Sequence, residues 1–141
     1  MFQNILLATD GSKHAERAAQ AAVELAKQLA GAQVTIFFVS TEAPSRGSLM
    51  EAHFDVKTVL EKEAHRSITK IEAQFQAAGV PFKLEVALGD AADQIIEAAG
   101  KGNYDLIVIG SRGLGAVSGV LMGSVSSKVS HHAKCPVLIV R

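Results

Sequence analysis

This chain of 141 residues has one cysteine and no excess of positive or negative charge. The single cysteine, Cys135, excludes an internal disulfide and a site of four thiolates, and it suits a reducing compartment. Fourteen basic and fourteen acidic side chains cancel, so the positive excess typical of nucleic-acid-binding domains is missing. No apolar run reaches the ~18 residues that cross a bilayer, and no basic signal segment follows Met1. We therefore expect a cytoplasmic protein that binds neither nucleic acid nor membrane.

Enough apolar residues are present for one well-packed domain over residues 1–141. The hydrophobic fraction is 48% and the charged fraction 20%, values typical of a globular protein. A domain of this length buries roughly two-thirds of its unfolded surface without disulfides or metals. No repeat, low-complexity tract or linker interrupts the sequence.

Strand and helix patterns alternate along the chain. Short apolar runs predict strands at residues 2–8, 33–39, 82–88, 104–109 and 136–140. Apolar residues at helical spacing predict helices after Ser12, over 49–78, after Asp90 and over 124–133. This alternation predicts an α/β fold with a mainly parallel, doubly wound sheet and helices on both faces. The alternating pattern at 82–88 and the terminal strand 136–140 both suit sheet edges.

A glycine-rich segment follows the predicted fourth strand and runs from Gly110 to Ser126. Ligands of open α/β sheets bind beyond the carboxyl ends of the strands, where this segment lies. Its glycines let backbone N–H groups approach an anion, and the helix that follows begins with unpaired N–H groups. The segment therefore predicts a site for a chain of phosphates, with Arg112 at its rim.

Three common motifs are absent from the positions where they would act. A P-loop needs lysine after its second glycine, but Ala116 follows Gly115. A dinucleotide fingerprint belongs after the first strand, where Gly11 stands alone. A nucleophile elbow needs glycine two residues before Ser111, and Ile109 is there.

The spacing Gly110-x2-Gly113-x9-Gly123-Ser124 resembles the signature of the ATP-binding universal stress proteins. The opening Ile-Leu-Leu-Ala-Thr-Asp-Gly-Ser at residues 5–12 is similar to the family's first strand and acidic turn. The ending His-Ala-Lys-Cys-Pro-Val-Leu-Ile-Val at 132–140 is similar to its last helix-to-strand passage. The resemblance extends over essentially the whole chain.

This resemblance implies a five-stranded sheet in the order 3-2-1-4-5, with ATP between the ends of the first and fourth strands. Asp10 would contact the ribose, and Ala8, Ile109 and the backbone of Val39 would surround the adenine. The remaining ribose and phosphate contacts would come from Gly110, Arg112, Gly113, Gly123, Ser124, Val125 and Ser126. Mg²⁺ or Mn²⁺ would bind the phosphates. Family members often have proline where this chain has Ala8, which leaves the adenine wall less rigid.

The resemblance also implies a role and an assembly. It indicates a nucleotide-responsive protein of stress response or signalling, and a homodimer paired through the C-terminal strand, Val137–Val140. Two other functions stay open. One is a slow ATPase, although no residue is assigned as a catalytic base. The other is an adaptor that binds proteins but no nucleotide.

Simpler explanations exist for several of these residues. Asp10 and Ser12 can support the first turn and helix, and Ser124 and Ser126 can cap the last helix. His131 and His132 are neighbours on a helix, so their side chains diverge and do not share one metal ion. Cys135 is interpreted as a small packed residue rather than a redox centre.

Overall fold

The computed structural model describes residues 2–112 and 122–141. Strands and helices alternate along the described chain as the sequence predicts. In chain order the elements are β1 (Asn4–Thr9), α1 (Lys13–Gln28), β2 (Gln33–Ser40), α2 (Arg46–Glu51), α3 (Val56–Ser67), α4 (Thr69–Ala77), β3 (Phe82–Leu88), α5 (Ala91–Lys101), β4 (Leu106–Gly110), α6 (Ser124–His132) and β5 (Val137–Val140).

The five strands form one parallel sheet in the order β3-β2-β1-β4-β5. This arrangement confirms the predicted α/β class, the parallel pairing and the strand order. It also confirms that β3 and β5 are the two edges. Strand β1 pairs with β2 on one side and with β4 on the other. Helices pack over both of its faces, so it is shielded from water on every side. Ile5, Leu6 and Leu7 are accordingly fully buried.

Two hydrophobic clusters cover the opposite faces of the sheet. The first joins alternate strand residues such as Ile5 and Ile36 to α1, α3 and α4, with Phe75 at its centre. The second joins the intervening residues, such as Leu6 and Ile107, to α5 and α6. Helix α1 contributes mostly alanine to its buried stripe, which lets its backbone lie close to the strands.

The predicted single helix over residues 49–78 is wrong, because three helices occupy this part of the chain. Between α2 and α3 the backbone of His53 and Phe54 turns through positive φ values of 53° and 61°. Asp55 then begins α3 by accepting a hydrogen bond from the backbone N–H of Thr58. A second break falls at Ile68, which is fully buried between α3 and α4. The apolar periodicity spans both breaks, so it does not reveal them; a side-chain cap marks the start of α3, whereas α4 begins after Ile68 without one.

Within residues 2–112 and 122–141, no helix is both long enough and apolar enough to cross a membrane.

Candidate functional site

A crevice opens between the carboxyl ends of β1 and β4, the two central neighbours of the sheet. The chain leaves β1 through α1 toward β2, and it leaves β4 through α6 toward β5 on the other side. Helices α1 and α6 pack on opposite faces of the sheet. Strand order therefore reverses at this point, which is where open α/β sheets bind ligands. Asp10 follows β1 and Gly110 ends β4. Both residues, which the sequence predicted as ligand contacts, therefore lie at this crevice.

The turn after β1 is held by its own side chains. The backbone N–H of Gly11 donates to Thr9 Oγ1 at 3.0 Å, and that of Ser12 donates to Asp10 Oδ1 at 2.9 Å. The interpretation of Asp10 as a support for its turn is therefore confirmed. Ser12 occupies the N-cap position of α1, but its hydroxyl makes no capping hydrogen bond, contrary to the sequence prediction. The carboxylate of Asp10 takes over the role of fixing this helix start.

Gly11 is required at this turn for two reasons. Its φ is +79°, a conformation that side chains disfavour. A Cβ at this position would also lie 2.7 Å from Cβ of Ser67, at the end of α3. The turn that carries Asp10 is therefore packed directly against the break between α3 and α4.

The carbonyl of Val39 points past the end of β1. In parallel pairs, alternate residues of a strand direct their N–H and C=O groups toward the same neighbour. The N–H of Gln33 donates to the carbonyl of Gln3, so odd-numbered residues of β2 face β1. The register of this pair ends at Thr9 and Phe38. Beyond it, the N–H of Gly11 turns to Thr9 Oγ1. The ladder thus stops at Val39, whose carbonyl is directed at the crevice.

Three apolar candidates line the same face of the sheet. Ala8, Val39 and Ile109 belong to the cluster covered by α5 and α6, and each is at least nine-tenths buried. They come from three adjacent strands near their carboxyl ends. The structure therefore brings together the three residues that the resemblance assigned to an adenine wall.

The start of α6 is fixed by the residue that follows β4. The N–H of Gly123 donates to the carbonyl of Ser111 at 2.6 Å, and Ser126 Oγ donates to the same carbonyl at 3.1 Å. The N–H of Ser111 donates in turn to the carbonyl of Val140 at 2.8 Å. Ser111 and Ser126 are both buried. Sequence reasoning missed Ser111 as a site residue, because its contacts use backbone atoms that no side-chain pattern reveals.

The N-cap of α6 is Gly123, not Ser124 or Ser126 as the sequence suggested. Ser126 points its hydroxyl inward to the carbonyls of Ser111 and Gly123. Ser124 begins the helix and is exposed. The first intrahelical bond described at this end runs from the N–H of Ser127 to Gly123. The N–H groups of Ser124, Val125 and Ser126 therefore precede the helical ladder and supply partial positive charge.

Two glycines allow close approach at this crevice. A Cβ on Gly110 would lie 3.3 Å from the carbonyl oxygens of His14 and Arg112, which brings the first turn of α1 against the end of β4. A Cβ on Gly123 would lie 3.3 Å from the carbonyl oxygen of Ser111. Arg112 is exposed beside them. Gly113, the remaining predicted contact, lies outside the described residues together with 114–121.

The other polar candidates do not form a second centre. Among the described residues, no group of three or more His, Cys, Asp or Glu side chains could hold a metal ion. Burial, with a smaller effect of Asp105, raises the pKa of the half-buried Cys135 thiol, which disfavours a reactive thiolate. Nδ1 of His65 lies 3.0 Å from Oε1 of Glu72, and Nδ1 of His131 lies 2.8 Å from the carbonyl oxygen of Ser127.

Comparison with known proteins supports this fold and identifies its family. The sequence profile of the universal stress protein family matches residues 1–141. A universal stress protein of Thermus aquaticus is 42% identical over 143 residues, covering 100% of both chains. The structure of UspA from Lactobacillus plantarum has a TM-score of 0.75 and 27% identity, covering 99% of this chain and 98% of that one.

A universal stress protein solved in complex with cAMP has a TM-score of 0.74 and 27% identity, covering 99% of this chain and 97% of that one. That relative therefore binds an adenine nucleotide. The family profile, the identity over the full length and the shared topology agree. This chain belongs to the universal stress protein family.

Proposed function

We propose that this chain binds ATP at the crevice between β1 and β4, and that it acts in the cytoplasm as a nucleotide-responsive homodimer in stress response or signalling. One observation carries the proposal. Asp10 follows β1, Gly110 ends β4, and the N–H groups at the start of α6 precede its helical ladder, all at the point where the strand order of the sheet reverses.

The phosphates are proposed to bind at the start of α6. The N–H groups of Ser124, Val125 and Ser126 supply donors, and Gly110 and Gly123 leave space for the chain of phosphates. The glycine spacing of the sequence adds Gly113 as a proposed contact. Arg112 adds one positive charge at the exposed rim. The hydrogen bond from the N–H of Gly123 to the carbonyl of Ser111 anchors this helix start at the end of β4.

The nucleoside is proposed to lie toward β1 and β2. The carboxylate of Asp10 accepts a hydrogen bond from the ribose, and the carbonyl of Val39 accepts one from the amino group of adenine. Ala8 and Ile109 complete the apolar wall beside the base. The relative solved with cAMP supports an adenine ligand in this fold. The glycine spacing Gly110-x2-Gly113-x9-Gly123-Ser124 favours a ligand with a longer phosphate chain.

A divalent cation, Mg²⁺ or Mn²⁺, is proposed to bind through the phosphates. The described residues offer no cluster of three His, Cys, Asp or Glu side chains for it, so phosphate oxygens and water would supply most ligands. The proposal includes no catalytic residue. We expect hydrolysis to be slow, and timed phosphate release with either metal measures it.

The homodimer is proposed to form through β5. The N–H groups of Ile107 and Ser111 donate to the carbonyls of Pro136 and Val140, so even-numbered residues of β5 face β4. Val137 and Ile139 then direct their backbone groups to the open edge. Pairing of two such edges would extend the sheet across both copies.

The test of nucleotide binding is calorimetry with ATP and Mg²⁺ on the purified chain and on Gly123→Val. A valine at this position crowds the start of α6, and we expect affinity to fall at least about 100-fold, ~2.7 kcal/mol. The fold should persist, because φ at Gly123 is an ordinary −70°. Gly47→Val is the matched control, since Gly47 lies in α2 with nothing within 4 Å of its Cβ position. Equal ATP affinity in Gly123→Val and wild type would refute the site.

A further inference from the structure

Ser111 joins the start of α6 to the end of the edge strand β5. Its carbonyl accepts hydrogen bonds from the N–H of Gly123 and from Ser126 Oγ, at 2.6 and 3.1 Å. Its N–H donates to the carbonyl of Val140 at 2.8 Å, the last bond that holds β5 to the sheet. One buried peptide segment therefore carries contacts of the proposed phosphate site and of the proposed dimer edge.

The end of β5 depends on this contact because the strand is short. It has four residues and pairs with β4 alone. Terminal edge strands fray unless they are held, and a frayed end presents no regular backbone for pairing. Val140 is the last residue of the strand, so loss of the bond from Ser111 would shorten the edge that a second copy can use.

An anion at the start of α6 acts on the same bonds. It orders the N–H groups of Ser124, Val125 and Ser126, and so fixes the helix start whose Gly123 and Ser126 hold the carbonyl of Ser111. The N–H and the carbonyl of Ser111 belong to two adjacent peptide planes that meet at its Cα, so holding the carbonyl restricts the φ and ψ rotations that would turn the N–H away from Val140. A ligand at α6 therefore favours the conformation in which β5 is fully paired with β4.

We infer that Ser111 couples nucleotide binding to the pairing of β5 with a second copy of this chain. Nucleotide strengthens self-association, and self-association strengthens nucleotide binding in return. Because a dimer holds two sites, the dimer constant changes by the square of the change in affinity at one site. This inference rests on the proposed function, because it requires both the ATP site and the β5 dimer. Its new content is the residue that connects them and the sign of the coupling.

The test measures the dimer dissociation constant by sedimentation over a dilution series, with and without saturating ATP and Mg²⁺. We expect ATP to lower this constant about tenfold, within the usual range of coupling between sites. Calorimetry at protein concentrations below and above the dimer constant should give the square root of that factor, about threefold, for ATP affinity at each site. If the chain binds no ATP at all, the proposed function fails and this inference fails with it. ATP binding with an unchanged dimer constant, or a monomer under every condition, overturns the inference alone.

Two serine variants test the route through Ser111. Ser126→Ala removes the hydroxyl that donates to the Ser111 carbonyl, while the N–H of Gly123 still satisfies that carbonyl. We expect the coupling factor to fall to about twofold or less, whatever the affinity of this variant for ATP. Ser130→Ala removes an exposed hydroxyl farther along the same helix, outside the proposed site, and should keep the wild-type factor. A wild-type factor in Ser126→Ala would show that the coupling does not pass through Ser111.

Discussion

At the scale of single residues, Gly11 and Gly31 form a matched pair because both have a φ of +79°. Their surroundings differ: a Cβ on Gly11 would lie 2.7 Å from Cβ of Ser67, whereas nothing lies within 4 Å of a Cβ on Gly31. We expect Gly31→Ala to lose about 1–2 kcal/mol of unfolding free energy through backbone strain. Gly11→Ala adds a clash and should lose about 2–4 kcal/mol. Urea unfolding of both variants measures the difference, and equal losses would contradict the packing of Ser67 on this turn.

Asp10 has a structural role and a proposed ligand role that one substitution separates. In Asp10→Asn the amide oxygen still accepts the bond from the N–H of Ser12, so the turn and the stability should be retained. The charge is lost, and a charge-assisted bond is roughly twice as strong as a neutral one. We expect ATP affinity to fall about tenfold in calorimetry. Asp10→Ala removes both roles and should also lower the unfolding free energy, by about 1 kcal/mol.

At the scale of elements, ion pairs link the start of α5 to the middle of α6. Lys128 Nζ lies 2.8 Å from Asp93 Oδ1 and 3.7 Å from Asp90 Oδ2. The hydrogen bond from Lys128 lowers the pKa of Asp93, and the same bond raises the pKa of Lys128. All three side chains are largely exposed, so salt screens this bridge and its contribution is small.

The shifted pKa of Asp93 gives this bridge a defined pH dependence. A carboxylate whose pKa is lowered in the folded state adds stability above its unfolded pKa, about 3.9. That stability is lost as the pH falls through the lower folded value. Lys128→Met should therefore flatten the acid limb of the stability profile slightly, and high salt should have the same effect on wild type. Lys134→Met, at another exposed lysine, is the control and should leave the profile unchanged. Thermal melts between pH 5 and 2 measure all of these.

Elements were predictable where one physical signal acted alone. The apolar runs of β1, β2 and β4 are buried between two helical layers, so hydrophobicity identified these strands and the alternation of elements predicted the fold. The helix over 49–78 was mispredicted because the apolar period continues through the breaks at Asp55 and Ile68. At the site, Asp10 and Gly123 were found by their residue types. Ser111 was not, since its role depends on which backbone atoms the fold brings within 3.1 Å.

At the scale of the whole molecule, the two edges of the sheet differ in how they are protected. β3 carries exposed Lys83 and Glu85, and such charges discourage another strand from pairing. β5 is entirely apolar, and all four of its residues are only half-buried in the single chain. An open apolar edge favours pairing with another strand, which makes β5 rather than β3 the edge for self-association.

The backbone at Ile139 provides a direct test of that edge. Its N–H faces away from β4, so Ile139→Pro removes a donor from the open side and leaves the ladder to β4 in place. Proline also removes side-chain packing against the cluster under α5 and α6, and Ile139→Ala reproduces that loss while keeping the N–H. We expect wild type and Ile139→Ala to sediment as dimers. Ile139→Pro should raise the dimer dissociation constant at least about 100-fold, ~2.7 kcal/mol. The reason is that the two paired strands would lose two symmetric hydrogen bonds, which also set the register between the strands. Unchanged association of Ile139→Pro would mean that the copies meet on another surface.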